Sequence, residues 1–436
     1  MISDSRRRFL RRGILCAAGT PLLCSALAPS VVSAAAMSSA PITDSESPLN
    51  SLKPLTDSAR LITDSERQQR RSKLSGLLAK RGVFAALIEP GSTLDYFTGV
   101  QWWLSERITA GVITAEGNSL FITPSFEESR LREMVGSTPE IMTWEEDESP
   151  FALLADWLKA ASPKAGRVLL DQGVRHFIAH GLAQAAPDWQ LGSAVTEVNA
   201  CRMIKSDSEL ALMTLANSVT IAAYRAVHPL VQAGMSGPDI SALMQQAQTR
   251  LGGESPSGGT QLGRGSALPH GSREPEYVND GQIVLMDFGC AVGGYRSDIS
   301  RTFVFGEANT HQQHLWDLVH RGQALAFEHA RPGTPAGEVD KVVRRFYEQE
   351  GFGPGYQLPG LSHRLGHGIG LDVHEPINFV GNETTPLQPG MCLSNEPGLY
   401  IPGKYGVRLE DCLYITESGP RWFSTPSPSL ANPMGD

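Results

Sequence analysis

Five residues of this 436-residue chain combine types and spacing that could do chemistry together: Asp287, Asp298, His367, Glu396 and Glu410. Asp287 follows the apolar run Ile283-Val284-Leu285-Met286, which places its carboxylate at the end of a buried strand. The pair Gly293-Gly294 turns the chain back into Ser297 to Phe303, whose alternation reads as a second strand, so one hairpin presents two aspartates. Glu396 and Glu410 occupy a comparable pair of segments, separated by Pro397-Gly398-Leu399-Tyr400 and Gly403-Lys404-Tyr405-Gly406. Carboxylates carried on core strands are costly unless something positive neutralises them, and Arg408 balances one at most. Four carboxylates and one imidazole instead suit two oxygen-preferring divalent ions that share bridging carboxylates. His367 sits within His363-Arg364-Leu365-Gly366-His367-Gly368-Ile369-Gly370, where glycines let backbone and ligands approach closely.

The elements that must position these residues follow from pattern. Thr63-Asp64-Ser65-Glu66 starts a charged helix that runs to about Arg81. Val83 to Ile88 reads as a buried strand, and Ala110 to Thr123 as two strands joined at Glu116-Gly117-Asn118. A helix over Pro150 to Ala161 and a strand over Arg167 to Leu170 continue a mixed α/β domain, residues 63–203. Met203-Ile204-Lys205-Ser206-Asp207-Ser208-Glu209 then caps a long helix that opens a second domain, residues 204–430. That domain repeats itself: Gly234-Met235-Ser236-Gly237 and Gly333-Thr334-Pro335-Ala336-Gly337 each precede a helix. Each helix leads through a Gly-rich stretch to acid-bearing strands, with Asp287 six residues after Gly281 and Glu396 six after Gly390. The expectation is a pseudo-symmetric α/β fold with its site between the halves.

Composition narrows the partners. With 37 basic and 46 acidic residues the chain carries −9, a poor match to nucleic acid or an anionic membrane. Five arginines and a single acid lie in residues 1–36, which leaves −13 over the following 400 residues. Arg6-Arg7-Arg8-Phe9-Leu10 and Arg11-Arg12 precede an uncharged stretch ending in Ala34-Ala35-Ala36, which resembles a cleaved twin-arginine signal. Periplasmic location, with membrane contact only during export, is the expectation. Residues 37–62, rich in Ser, Pro, Thr and Asp, read as a linker. The four cysteines beyond the signal, Cys201, Cys290, Cys392 and Cys412, read as small buried thiols.

Five motifs occur in order: Met286-Asp287-Phe288-Gly289, Gly294 to Phe303, Gly366-His367-Gly368-Ile369-Gly370, Asn395-Glu396-Pro397-Gly398 and Arg408-Leu409-Glu410-Asp411. Together they resemble the Xaa-Pro peptidases, the prolidase and aminopeptidase P family with its pita-bread catalytic domain. Tyr96-Phe97-Thr98-Gly99 is similar to a motif of the creatinase-type N-terminal domain of that family. The resemblance implies that Asp287 chelates one metal, that His367 and Glu396 bind the other, and that Asp298 and Glu410 bridge both. It implies a catalytic set of His270, His374, Glu396 and Arg408, with Tyr400 matching an outer residue of aminopeptidase P-like members, and hydrolysis of an Xaa-Pro bond by a metal-bridging hydroxide. Two Mn2+ ions are expected, with Zn2+ or Co2+ as alternatives, and loading before export would favour manganese. A homodimer is implied as well, with Trp102 and Trp103 as candidates for reaching the partner's site.

One departure stands out. Several dipeptide-cleaving members carry an arginine just beyond the position of Glu375, where this chain has Pro376-Ile377-Asn378. Either Arg364 compensates or the substrate is longer than a dipeptide. Rival readings are a pita-bread hydrolase of a small amide, a methionine aminopeptidase, and a catalytically inactive binding protein. Five intact ligands oppose a metal-free creatinase, and Gly289 stands where sulfonium-cleaving relatives have an acid.

Overall fold

The computed structural model describes residues 48–162 and 164–435. The expected signal, residues 1–36, lies outside the described residues, as does the first part of the expected linker. The helix Asp64–Lys80 begins at a complete capping box, with Thr63 and Glu66 satisfying each other's backbone N–H groups. A six-stranded sheet follows, in the order Glu140–Trp144, Ser119–Pro124, Ala110–Thr114, Ala85–Ile88, Arg167–Leu170, Gln190–Ser193. Its central strand shows why alternation matters even where all residues are apolar. Ala86 and Ile88 enter the core on one face with Phe97 and Leu169, while Ala85 and Leu87 enter the other with Leu154 and Ile178.

Beyond residue 203 the chain builds one arrangement twice. Helices Asp207–Val227 and Gly237–Arg250 cover a sheet containing Glu254–Leu262, Gln282–Val292 and Ile299–Phe305. Helices Thr310–His329 and Ala336–Gln349 cover a second, ordered Glu375–Phe379, Gly366–Gly368, Cys392–Asn395, Asp411–Thr416, Gly419–Trp422. The expected pseudo-symmetric catalytic domain is therefore present. At the site the two halves are joined by a bridge in which Ser300 N–H donates to Glu410 O (3.2 Å) and Glu410 N–H to Ser300 O (3.1 Å). A separate ribbon, Gly398–Ile401 with Tyr405–Arg408, projects Tyr400 and Arg408 into the site.

Two expectations need correction. Asp287 is not at the end of its strand but in the middle of Gln282–Val292, because the apolar run continues through Phe288 and Cys290. The described part of the linker is not a free tether either. Leu49 is 1% exposed among Tyr224, Ile240 and Met244, and Leu55 N–H donates to Leu251 O at 2.9 Å. A buried leucine, this backbone bond and the Thr56 hydroxyl donating to Gly252 O at 3.4 Å help anchor a stretch whose composition is that of a linker.

Candidate metal centre

Glycine geometry creates the floor of the site. His367 lies on the short strand Gly366–Gly368, where a Cβ at Gly366 would sit 2.1 Å from Ser394 O and one at Gly368 2.4 Å from Pro376 O. Only bare backbone permits this packing. Glu396 follows the neighbouring strand Cys392–Asn395, its N–H donating to Leu365 O at 2.9 Å. Asp298 follows the tight Gly293-Gly294 reversal (φ 56° and 82°), and its carbonyl accepts from the Cys412 thiol at 3.2 Å. Glu410 enters through the bridge to Ser300.

His367 Nδ1 lies 3.0 Å from Gly368 O, and a carbonyl only accepts, so Nδ1 carries the proton and Nε2 presents a lone pair. That lone pair faces Glu396 Oε1 at 3.4 Å, Asp298 Oδ2 at 3.7 Å and Glu410 Oε1 at 4.0 Å. All four atoms are acceptors. Glu410 Oε1 is buried with no hydrogen-bond partner among the described residues. Burial pushes His367 down to about 3, so protonating the ring does not relieve the conflict near neutral pH. Burial and the neighbouring carboxylates push Asp298 and Glu410 well above the usual carboxylate range, and burial raises Glu396 to about 7. Donor atoms of Asp298, His367 and Glu410 lie within 4.8 Å of one another, an arrangement that fits divalent cations. Asp287 stands beside this group: its carboxylate accepts from Arg408 Nη2 at 2.7 Å, and Ser300 Oγ lies 3.0 Å from its Oδ1.

A polar ring surrounds these acids. Arg408 Nη1 donates to Tyr400 Oη (3.0 Å), and Tyr400 Oη lies 2.8 Å from His363 Nε2. His363 Nδ1 must donate to Arg364 O (2.7 Å), so the tyrosine hydroxyl donates to the histidine. His374 is exposed and stands edge-on to His367, ring centroids 4.4 Å apart. With His270, Arg364 and Glu396 it lines a cavity of about 600 Å3, which shares Gly258, Pro269, His270 and Asp287 with a second of about 660 Å3. The predicted residues are thus gathered at one cleft, while Trp102 and Trp103 stack on each other (4.7 Å) beneath Arg130 elsewhere. Among the described residues all four cysteines are free and buried.

Sequence reasoning gave His363 and Ser300 no role. Ser300 Oγ donates to Glu410 Oε2 at 2.8 Å, lies 3.0 Å from Asp287 Oδ1, and accepts from Arg408 Nε at 3.0 Å. The signal was available: residues 298, 300 and 302 alternate onto one face of the strand that carries the acid. For His363 the only local signal was its spacing of four from His367.

Residues 211–417 match the model of metallopeptidase family M24, and residues 70–204 that of the creatinase/prolidase N-terminal domain. An uncharacterized peptidase of Schizosaccharomyces pombe is 32% identical, covering 84% of this chain and 82% of its own. The Xaa-Pro dipeptidase of Lactobacillus delbrueckii subsp. lactis is 29% identical, covering 82% and 97%. Among solved structures, a dipeptidase from Pyrococcus horikoshii OT3 superposes with a TM-score of 0.75 at 28% identity, over 83% of this chain and 99% of that one. Fold, acid cluster and both domain matches agree: the chain is a metallopeptidase of family M24 with a creatinase/prolidase N-terminal domain.

Proposed function

We propose that the chain hydrolyses the Xaa-Pro bond of dipeptides or short peptides with two divalent ions, manganese being the expected metal. The observation that carries this reading is the His367 Nε2 lone pair aimed at three carboxylate oxygens with Glu410 Oε1 unpartnered. His367, Glu396, Asp298, Glu410 and Asp287 would hold the ions. The chemistry that two such ions supply when bound is a water of lowered pKa and an electrophile for the scissile carbonyl.

The protein's own residues do the rest. Glu396, on the floor of the cleft, takes the proton of the attacking water and returns it to the leaving nitrogen. That nitrogen belongs to a tertiary amide with no N–H, so the returned proton is its first. His374, which faces the cleft and whose pKa is lowered by partial desolvation and by Arg364, donates to the carbonyl oxygen as negative charge develops there. His270 lines the same wall. Arg408 fixes Asp287 and hands a hydrogen-bond chain through Tyr400 to His363, keeping these groups in one orientation. Arg364 Nη1 is held by Asn378 Oδ1 at 2.9 Å, at the very segment where an arginine was expected and is missing. The guanidinium so placed suits the C-terminal carboxylate of a dipeptide.

Hydrolysis of Ala-Pro, Ala-Pro-Ala and Ala-Ala by the metal-loaded protein tests the reading. Cleavage of the proline peptides and not Ala-Ala is expected, with Ala-Pro preferred if Arg364 meets its carboxylate. No cleavage of either proline peptide would favour the small-amide hydrolase or binding-protein readings. Export by the twin-arginine route and assembly as a homodimer belong to the same proposal. Fractionation and sedimentation would check them.

A further inference from the structure

A second buried charge cluster adjoins the site and takes no part in the chemistry above. Glu375, 6% exposed, follows His374 directly. Its Oε1 accepts from Arg202 Nη2 (2.6 Å) and Asp372 N–H (3.2 Å), and its Oε2 from Lys205 Nζ (2.8 Å). Arg202 Nη2 also reaches Asp372 Oδ2 at 2.9 Å, while its Nη1 donates to Ser92 Oγ and Thr93 Oγ1 at 3.1 and 3.0 Å. Both cations come from outside the catalytic sheets. Arg202 ends the last helix of the N-terminal domain, and Lys205 lies in the connection that follows, tied by its N–H to Gly390 O (2.8 Å). The carboxylate folds back beneath Gly370, where an added Cβ would lie 2.7 Å from both its oxygens. Gly370 N–H in turn donates to Asp372 O. One carboxylate therefore braces the Gly370 to Asp372 stretch of the loop that runs from His367 to His374.

We propose that Glu375 is a positioning residue for His374, with Arg202 and Lys205 as its fixed countercharges. The N-terminal domain then takes part in catalysis by holding the His374 ring edge-on to His367. A group fixed by two cations and a backbone N–H has little rotational freedom, and displacing a catalytic group by about 1 Å costs on the order of 100-fold in rate. This inference rests on the peptidase reading for its kinetic arm only.

The test uses the metal-loaded full chain with Glu375→Gln and, because removing a buried charge can unfold a protein, Gly370→Ala, which crowds the carboxylate with every charge kept. Glu89→Gln, which removes the carboxylate of a comparable ion pair with Arg175 in the N-terminal domain, is the control. Both test variants should lower kcat about 10- to 100-fold with KM within about twofold and metal content unchanged. Combining Glu375→Gln with His374→Ala should be no slower than His374→Ala alone. In histidine-labelled protein the His374 ring nitrogen resonances should move in both variants and stay fixed in the control. Additive losses in the double variant, or unmoved His374 resonances, would overturn the proposal. A wild type inactive on Xaa-Pro peptides would instead sink the peptidase reading, and the resonances would still decide this one.

Discussion

Two acid clusters adjoin in the fold, with His367 of one eight positions before Glu375 of the other, and the protein treats them in opposite ways. At Glu375 two carboxylates, with Asp372, meet two cations, Arg202 and Lys205. Burial opposes its charge, yet Lys205 and Arg202 hold its carboxyl down to about 2. Around His367 the acids outnumber their cations, since Arg408 is spent on Asp287. There burial and mutual repulsion push Asp298 and Glu410 up. A matched buried cluster is architecture; an unmatched one is a site waiting for positive charge.

The unmatched cluster is most sensitive at Glu396. Replacing it by Gln should cut Xaa-Pro hydrolysis by about 1000-fold or more with the fold intact by circular dichroism. Retention of near-wild-type turnover would remove Glu396 from both of its proposed roles. Next in size is the response to pH, where the clusters should carry opposite signs. Glu375, lowered from 4.5 to about 2, contributes about 3 kcal/mol that is present above pH 4.5 and lost as pH falls through 2. Glu375→Gln should therefore flatten the acid limb of a urea-denaturation series. In metal-free protein Glu396, raised to about 7, contributes stability that is full below pH 4.5 and lost as pH rises through 7. Bound metal should abolish that neutral-pH loss, and a metal-free protein indifferent to pH between 5 and 8 would contradict the unmatched cluster.

A smaller effect is expected at Arg364. Its replacement by Gln should raise KM for Ala-Pro about tenfold and leave Ala-Pro-amide little changed, the size of one charge-assisted hydrogen bond. Equal losses on both substrates would place the guanidinium elsewhere in the reaction. Smallest of all, Thr63→Ala removes a cap remote from both clusters and should cost about 1 kcal/mol in denaturation with unchanged kcat.

What was legible in the sequence was whatever is decided locally. Helix starts at Thr63 and Ser206 follow from side chains that accept from the backbone three residues along. The tight packing around His367 was legible too, because glycine at 366 and 368 admits a close approach that any Cβ forbids. Asp287 was misplaced within its strand because an apolar run marks a strand's existence better than its end. Ser300 and His363 acquire meaning only when the two halves of the catalytic domain meet, through Glu410 and Tyr400. The Glu375 cluster was invisible for the same reason: Arg202 and Lys205 are 173 and 170 positions away in the chain. The docking of Leu49 likewise depends on a distant helix face.

The most direct test of the central claim is to strip the purified protein with a chelator and titrate Mn2+ back while following Ala-Pro hydrolysis. No turnover without metal and a plateau at two equivalents per chain are expected. Undiminished hydrolysis by the stripped protein, or a plateau complete at the first equivalent, would contradict it.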